Sequence, residues 1–435
     1  LIEKMNNKKG KSFSRRQFVN IASGTFGGLL LSGNAYPLFS RAKKLSSIVK
    51  DNLQAEGESI IGPIGDWFVI LNRKKLPQYS FRRKEWADLQ KWHEAAQKQI
   101  QDRMAIPDLG NMPEVIVNKK YIYDGLQVEE LSWQLPYGRT TEAILLKPAN
   151  VSKPLPGILA FHDHGGIKYF GKRKITRTSD QIHPLIKAHQ DSDYDGTAWA
   201  NEIAKRGYVV LVSDTFPFAS RRIMLKDVPE DLRDGLNDNN PEDPENIIKY
   251  NKWAGGYEDI MAKSLFCAGT TWPGVFFAED RVALEILCAR EDVDKERIGC
   301  GGLSGGGMRT VFMGGLDPRI KCAVCAGFMT TWNDFLLNKS FTHTWMTFIP
   351  VLPTELEFPE ILGLRVPLPT MVLNNIDDDL YTYSEMEQAD KILKEVYQKA
   401  GADDHYKCSF YPGPHKFDRM MQTEAFNWFD QWLKQ

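Results

Sequence analysis

The sequence predicts an α/β protein built on a mostly parallel central sheet of about eight strands, with helices on both faces. Three observations carry that prediction. Short, nearly continuous apolar runs recur along the chain: LPGILAFHDHGG, GYVVLVSDTF, RIGCGGLS, IKCAVCAGF, LPTMVLNNID and HYKCSFYPGPH. Runs of this kind, without polar alternation, belong to strands buried on both faces. Helical stretches separate them, for instance Ala278 to Arg290 and Met386 to Ala400, as a parallel sheet with crossovers requires. Finally, GCGGLSGGGMRT places one serine among six glycines where a strand ends and a helix begins. Glycine there signals a turn that no side chain permits.

The bulk composition is that of an ordinary globular protein, and the length suits one elaborated domain or two. The chain has 435 residues, 55 basic and 56 acidic, for a net charge of −1. That balance gives no electrostatic basis for nucleic acid or an anionic membrane as partner. Residues 1–35 read as an export signal. Arg15 and Arg16 follow a basic stretch and precede IASGTFGGLLLSGNA, which is too short and glycine-rich for a membrane span. Gly33 and Ala35 fit the small residues of a cleavage site. The expected location is therefore exported, periplasmic or extracellular, with no stable membrane span in the mature protein.

Residues 36–126 read as a linker and an N-terminal helical extension. Trp86, Leu89, Trp92, Ala96, Ile100 and Met104 form a stripe at helical period within Phe81–Met104, with Ser80 as the expected N-cap and Pro107 beyond the end. The remainder, 127–435, reads as the α/β domain. VEELSWQL and TTEAILLKPA form an expected antiparallel pair joined through Pro136, Tyr137 and Gly138. Two stretches are too long for simple connections, about 216–275 and 329–367, and are expected to be cap-like insertions near the mouth of a site. Trp253, Trp272, Trp332 and Trp345 fall in them. Trp272 and Trp332 are the candidate substrate contacts, with packing inside the insertions as the alternative role.

Cys322 and Cys325 sit in KCAVCAG, where residues three apart on a strand face opposite sides. Neither a zinc nor a redox site is expected from them, and most of the six cysteines read as small core residues. His162 and His164 lack a third ligand at convincing spacing, so the expectation is no metal and no cofactor.

The glycine cluster carries the chemistry. A strand–turn–helix around G-x-S-x-G is a nucleophile elbow, with Ser304 at the bend. A free serine is a weak nucleophile and needs a base held by an acid. Three histidines follow it: His343, His405 and His415. His415, in YPGPHKF directly after the last strand, is placed over the sheet; His405 precedes that strand, and His343 lies in an insertion. Asp377, Asp378 and Asp379 end the preceding strand, and Asp378 opens a D-x-L-x-T loop that suits the acid; Asp334 is the alternative one strand earlier. The N–H of Gly305 at the helix start and that of His164, or of Gly165, in AFHDHGG are the expected oxyanion donors.

These motifs resemble the α/β-hydrolase superfamily, in particular dienelactone hydrolase-like and acetyl xylan esterase-like members. The run EDRVALEILCAREDVDKERIGCGGLSGGG is similar to the segment before their nucleophile, and FHDHGG, DDDL and GPHKF fall where they place oxyanion loop, acid and histidine. The similarity spans roughly residues 127–434. It implies an α/β-hydrolase fold and a serine hydrolase with Ser304, His415 and Asp378 as triad, acting on a small-molecule or carbohydrate ester. The chain departs from the acetyl xylan esterase pattern in having Gly305 where G-x-S-Q-G has glutamine, and in the long 216–275 insertion. A peptidase of the S9 kind is the near rival, although such enzymes carry an N-terminal propeller that the region before residue 127 is too short to form. A non-catalytic carbohydrate-binding protein on the same scaffold would lack a triad member, and none is missing.

Overall fold

The computed structural model describes residues 59–73, 76–151 and 153–434. The expected signal segment and most of the linker lie outside the described residues. Nine strands form one sheet in the order β1-β2-β3-β5-β4-β6-β7-β8-β9. They are β1 (Ile116–Tyr123), β2 (Leu126–Trp133), β3 (Thr141–Pro148), β4 (Leu155–Phe161), β5 (Val209–Ser213), β6 (Val293–Leu303), β7 (Ile320–Ala326), β8 (Thr370–Asn375) and β9 (Tyr406–Tyr411). The first three meet their neighbours antiparallel, and β5-β4-β6-β7-β8-β9 run parallel.

The sheet therefore has nine strands rather than about eight. The additional one, β1, falls in the stretch read as the N-terminal extension. Its outer residues, Ile116 to Lys120, are exposed, so it carries no apolar run that marks a buried strand. Lys119 and Lys120 on this edge strand also hinder pairing with another sheet.

The helices are α1 (Ile64–Arg73), α2 (Leu89–Met104), α3 (Pro184–Tyr194), α4 (Trp199–Lys205), α5 (Pro244–Gly256), α6 (Glu258–Cys267), α7 (Trp272–Cys288), α8 (Gly305–Leu316), α9 (Phe358–Gly363), α10 (Tyr383–Lys399) and α11 (Arg419–Leu433). Central strands supply both cores by alternation. On β4, Ile158 and Ala160 pack under α4 and α11, while Leu159 and Phe161 pack under α2, α7, α8 and α10. On β7, Cys322 joins the first of these cores and Cys325 the second, as the strand reading required. All six cysteines are free thiols.

Helix α2 buries Trp92, Ala96, Ile100 and Met104 as its stripe predicts, but starts later than expected. Its N-cap is Asp88, whose side chain accepts from Lys91 N–H. Ser80 is buried instead, donating to Glu360 Oε1 at 2.8 Å. No helix among the described residues is long and apolar enough to cross a membrane.

Candidate active site

Strand β6 runs straight into the glycine cluster, and Ser304 turns the chain with φ 56° and ψ −118°. A non-glycine residue with this backbone is strained, and surrounding structure must impose it. The squeeze is visible at the flanking glycines. A Cβ on Gly302 or on Gly306 would sit 2.4 Å from Phe161 O at the end of β4. Ser304 N–H donates to Ala326 O on β7 at 2.9 Å, and Ser304 O accepts from Met308 N–H at 2.8 Å. The serine is thus pinned between two strand ends and the first turn of α8.

His415 arrives on the loop after β9. Gly413 allows that loop its φ of +100°, and its N–H donates to Asp377 Oδ2 at 2.9 Å. Lys416 N–H donates to Asn375 Oδ1 at 3.1 Å. So held, His415 Nδ1 lies 2.6 Å from Asp378 Oδ2. Asp378 is 3% exposed, and its other oxygen accepts from Leu380 N–H at 3.0 Å. Nδ1–H therefore donates to Asp378, and Nε2 is buried without a hydrogen-bond partner. The Cε1 edge of the ring lies against Gly327, next to the Ala326 that Ser304 bonds. No hydrogen bond joins Ser304 Oγ to His415 Nε2 in this arrangement.

The rival groups are occupied elsewhere. Asp377 caps the Gly413 loop, and Asp379 is exposed, with its backbone carbonyl accepting from Lys339 Nζ. Asp334 is buried, accepting from Thr330 Oγ1 at 2.8 Å and Thr382 N–H at 3.0 Å. His405 sits before β9, its Nδ1 on Pro367 O. His343 packs against Phe335, Tyr381 and Phe328, and burial lowers its pKa to about 4.

Facing the elbow is the AFHDHGG loop after β4. A Cβ on Gly305 would lie 2.8 Å from His164 N, so the start of α8 and this loop pack backbone against backbone. Gly165, with φ +51°, turns the loop away beyond that contact.

These strands, in this order, with a strained serine at the end of a central parallel strand and a histidine–carboxylate pair on the last two loops, define the architecture. This is an α/β-hydrolase fold. Among solved structures, the chain is similar to a putative acetyl xylan esterase of Bacteroides fragilis NCTC 9343. The TM-score is 0.60 at 20% identity, covering 83% of this chain and 86% of that one. It is also similar to a glucuronoyl esterase from Solibacter usitatus, with TM-score 0.54 and 14% identity over 82% of this chain and 98% of that one. By sequence it is 25% identical over 309 residues to "Putative hydrolase YtaP" of Bacillus subtilis (strain 168), covering 70% of this chain and 88% of that protein. No protein-family profile matches.

On this α/β-hydrolase scaffold the second insertion, from Trp332 to Val366, packs into the main core, and the first shares a small core with Tyr169, Phe170 and Ile186. Residues 216–275 contribute turns, α5 and α6, and build a small core from Leu225, Val228, Ile247, Tyr250 and Trp253. Trp272 is not a substrate contact here. It is 1% exposed in the main core against Phe216, because it opens α7 on that helix's inner face. Trp332 is 8% exposed and donates to Leu356 O at 3.0 Å. It lines an apolar cavity of about 630 Å³ together with Trp345, Phe335 and Phe348.

Behind the AFHDHGG loop lies a set of buried charges that the sequence did not announce. Lys174 Nζ donates to the carbonyls of Asp163 and His164 at 2.8 and 2.9 Å. Asp163 accepts from Tyr194 at 2.6 Å and pairs with His189 Nε2 at 3.0 Å. Burial opposes the Asp163 charge, but His189 and Lys174 outweigh it and hold its carboxyl well below the usual range. Asp163, His189 and Asp193 are spaced closely enough to ligate a metal. However, the His189 ring stands between the two carboxylates, 3.0 Å from one and 3.3 Å from the other. With Lys174 also present, the cluster fits an imidazolium between anions rather than a ligand set.

Proposed function

We propose that this protein is a carboxylic ester hydrolase working through Ser304, His415 and Asp378 by way of an acyl-enzyme. The observation that carries the reading is the strained Ser304 at the end of the central strand β6, with the His415–Asp378 pair on the loops after β9 and β8 and the His164 loop packed against Gly305. His415 Nε2 takes the Ser304 proton as Oγ attacks the ester carbonyl. The carbonyl oxygen becomes negative and is held by the N–H groups of Gly305 and His164. Such donors matter most in the transition state, and each contributes about 10²–10³ in rate. The alcohol leaves with the proton from His415. Water then repeats the sequence on the acyl-enzyme and regenerates Ser304. Asp378 keeps the proton of the free ring on Nδ1 and steadies the imidazolium.

The substrate class we infer is an acylated carbohydrate or small ester, supported by the esterases among the fold's neighbours. The twin-arginine pattern supports export, which places such glycans within reach. Hydrolysis of p-nitrophenyl acetate, butyrate and octanoate beside Ser304→Ala tests the reading. Turnover by the wild type and its loss in the variant uphold it; equal rates in both overturn it.

A further inference from the structure

Glu258 opens α6 in the first insertion, and its side chain is only 9% exposed. Each of its oxygens serves a different part of the protein. Oε1 accepts from His164 Nε2 at 2.9 Å and from Lys168 Nζ, both on the oxyanion loop. Oε2 accepts from Thr344 Oγ1 at 2.8 Å and Trp345 N–H at 3.2 Å, both in the second insertion. The His164 tautomer follows, since its Nδ1 accepts from Gly166 N–H at 3.1 Å and Nε2 must then be the donor. The ring stays neutral because burial and the Lys168 charge push its pKa down to about 4. Burial works against the Glu258 charge too, but the bonds from His164 and Lys168 prevail and hold its pKa at about 2.

We propose that Glu258 is the positioning residue of the oxyanion loop, so that the two insertions set the place of the His164 N–H rather than merely cover the site. This rests on the oxyanion role proposed above for His164. The reasoning is geometric. The ring of His164 is fixed at both nitrogens, and its backbone N lies 2.8 Å from where a Gly305 Cβ would be. A donor displaced by about 1 Å costs on the order of 10²-fold in rate. Removing the Glu258 charge also leaves Lys168, 2% exposed, without its counter-ion, which forces the loop to rearrange.

The test uses the whole protein with p-nitrophenyl acetate and with a trifluoromethyl ketone, which adds to the serine and presents an oxyanion. In Glu258→Gln, kcat falls by about 10- to 100-fold, KM changes by less than about threefold, and ketone inhibition weakens by the same factor as kcat. Asp259→Asn, next in the chain but paired on the surface with Lys263, leaves all three unchanged. Should Glu258→Gln not fold, Thr344→Val removes one donor to Oε2, along with the acceptor for Met346 N–H, and a parallel loss of about threefold or more in kcat and in ketone affinity is expected. Folded variants with wild-type kcat and ketone affinity overturn the proposal, as does a loss confined to KM or thermal stability. Fluorophosphonate labelling of Ser304 in the wild type separates the two readings: without it the underlying function fails, and with it only the role of Glu258 is in question.

Discussion

His415 Nδ1 and Asp378 Oδ2 are 2.6 Å apart, carried by loops that leave the neighbouring strands β9 and β8. A carboxylate at that distance fixes the ring's tautomer, so removing its charge should act on rate far more than on binding. Asp378→Asn is expected to lower kcat by about 10³–10⁴ with KM little changed. Asp377→Asn and Asp379→Asn should stay within about fivefold of wild type. Asp334→Asn should weaken the fold by about 1–3 kcal/mol through its Thr330 and Thr382 bonds, and leave most activity. Steady-state kinetics and thermal unfolding on the four variants check this together.

The strain at Ser304 makes a separable prediction. Ser304→Ala keeps a Cβ at φ 56°, so it should abolish turnover with stability unchanged. Ser304→Gly should be equally inactive but more stable by about 1 kcal/mol, because glycine accepts that backbone without cost. Chemical denaturation of the pair reads the difference directly.

Close packing at the elbow gives a third. At Gly306 an added Cβ would meet Phe161 O at 2.4 Å, a backbone atom that has no rotamer to escape into. Gly306→Ala should therefore lower the melting temperature and activity together. Gly256→Ala, with open space around its Cβ position, should do neither.

Stability should fall as the solution is acidified below neutrality. Burial, with the Arg309 and Lys174 charges, pushes the His162 pKa to about 3, and burial, outweighing the Lys339 carbonyl and the nearby Asp334 and Asp378, takes His343 to about 4. The unfolded chain takes up those protons near pH 6.5, whereas the fold refuses them, so acid favours unfolding. Each fully neutral buried histidine costs about 1.4 kcal/mol per pH unit below that point. Glu258 adds a second loss lower down, since its contribution is complete above about 4.5 and disappears toward 2. Urea midpoints between pH 7 and 5 should decline, and His343→Phe should make the decline shallower.

Much of the site could be read locally. The elbow shows because glycine spacing around Ser304 is a backbone requirement, and the Asp378 and His415 loops show because each directly follows an apolar strand. What stayed hidden depends on distant partners. Ser80 looks like a helix cap but bonds Glu360, 280 positions away. Glu258 meets His164 across 94 positions, and nothing in the acidic stretch around it marks one carboxylate as buried. Trp272 appeared to belong to a cap, yet the first turn of α7 points it into the core. Strand β1 has too little buried surface to leave an apolar signature.

The most direct measurement of the central claim is mass spectrometry after treatment with a fluorophosphonate, run on the wild type, Ser304→Ala and His415→Ala. The account predicts one adduct, on the peptide containing Ser304, formed rapidly in the wild type, absent in Ser304→Ala and strongly slowed in His415→Ala. A wild type that remains unlabelled, or one labelled at another residue with Ser304→Ala still turning over esters, would contradict it.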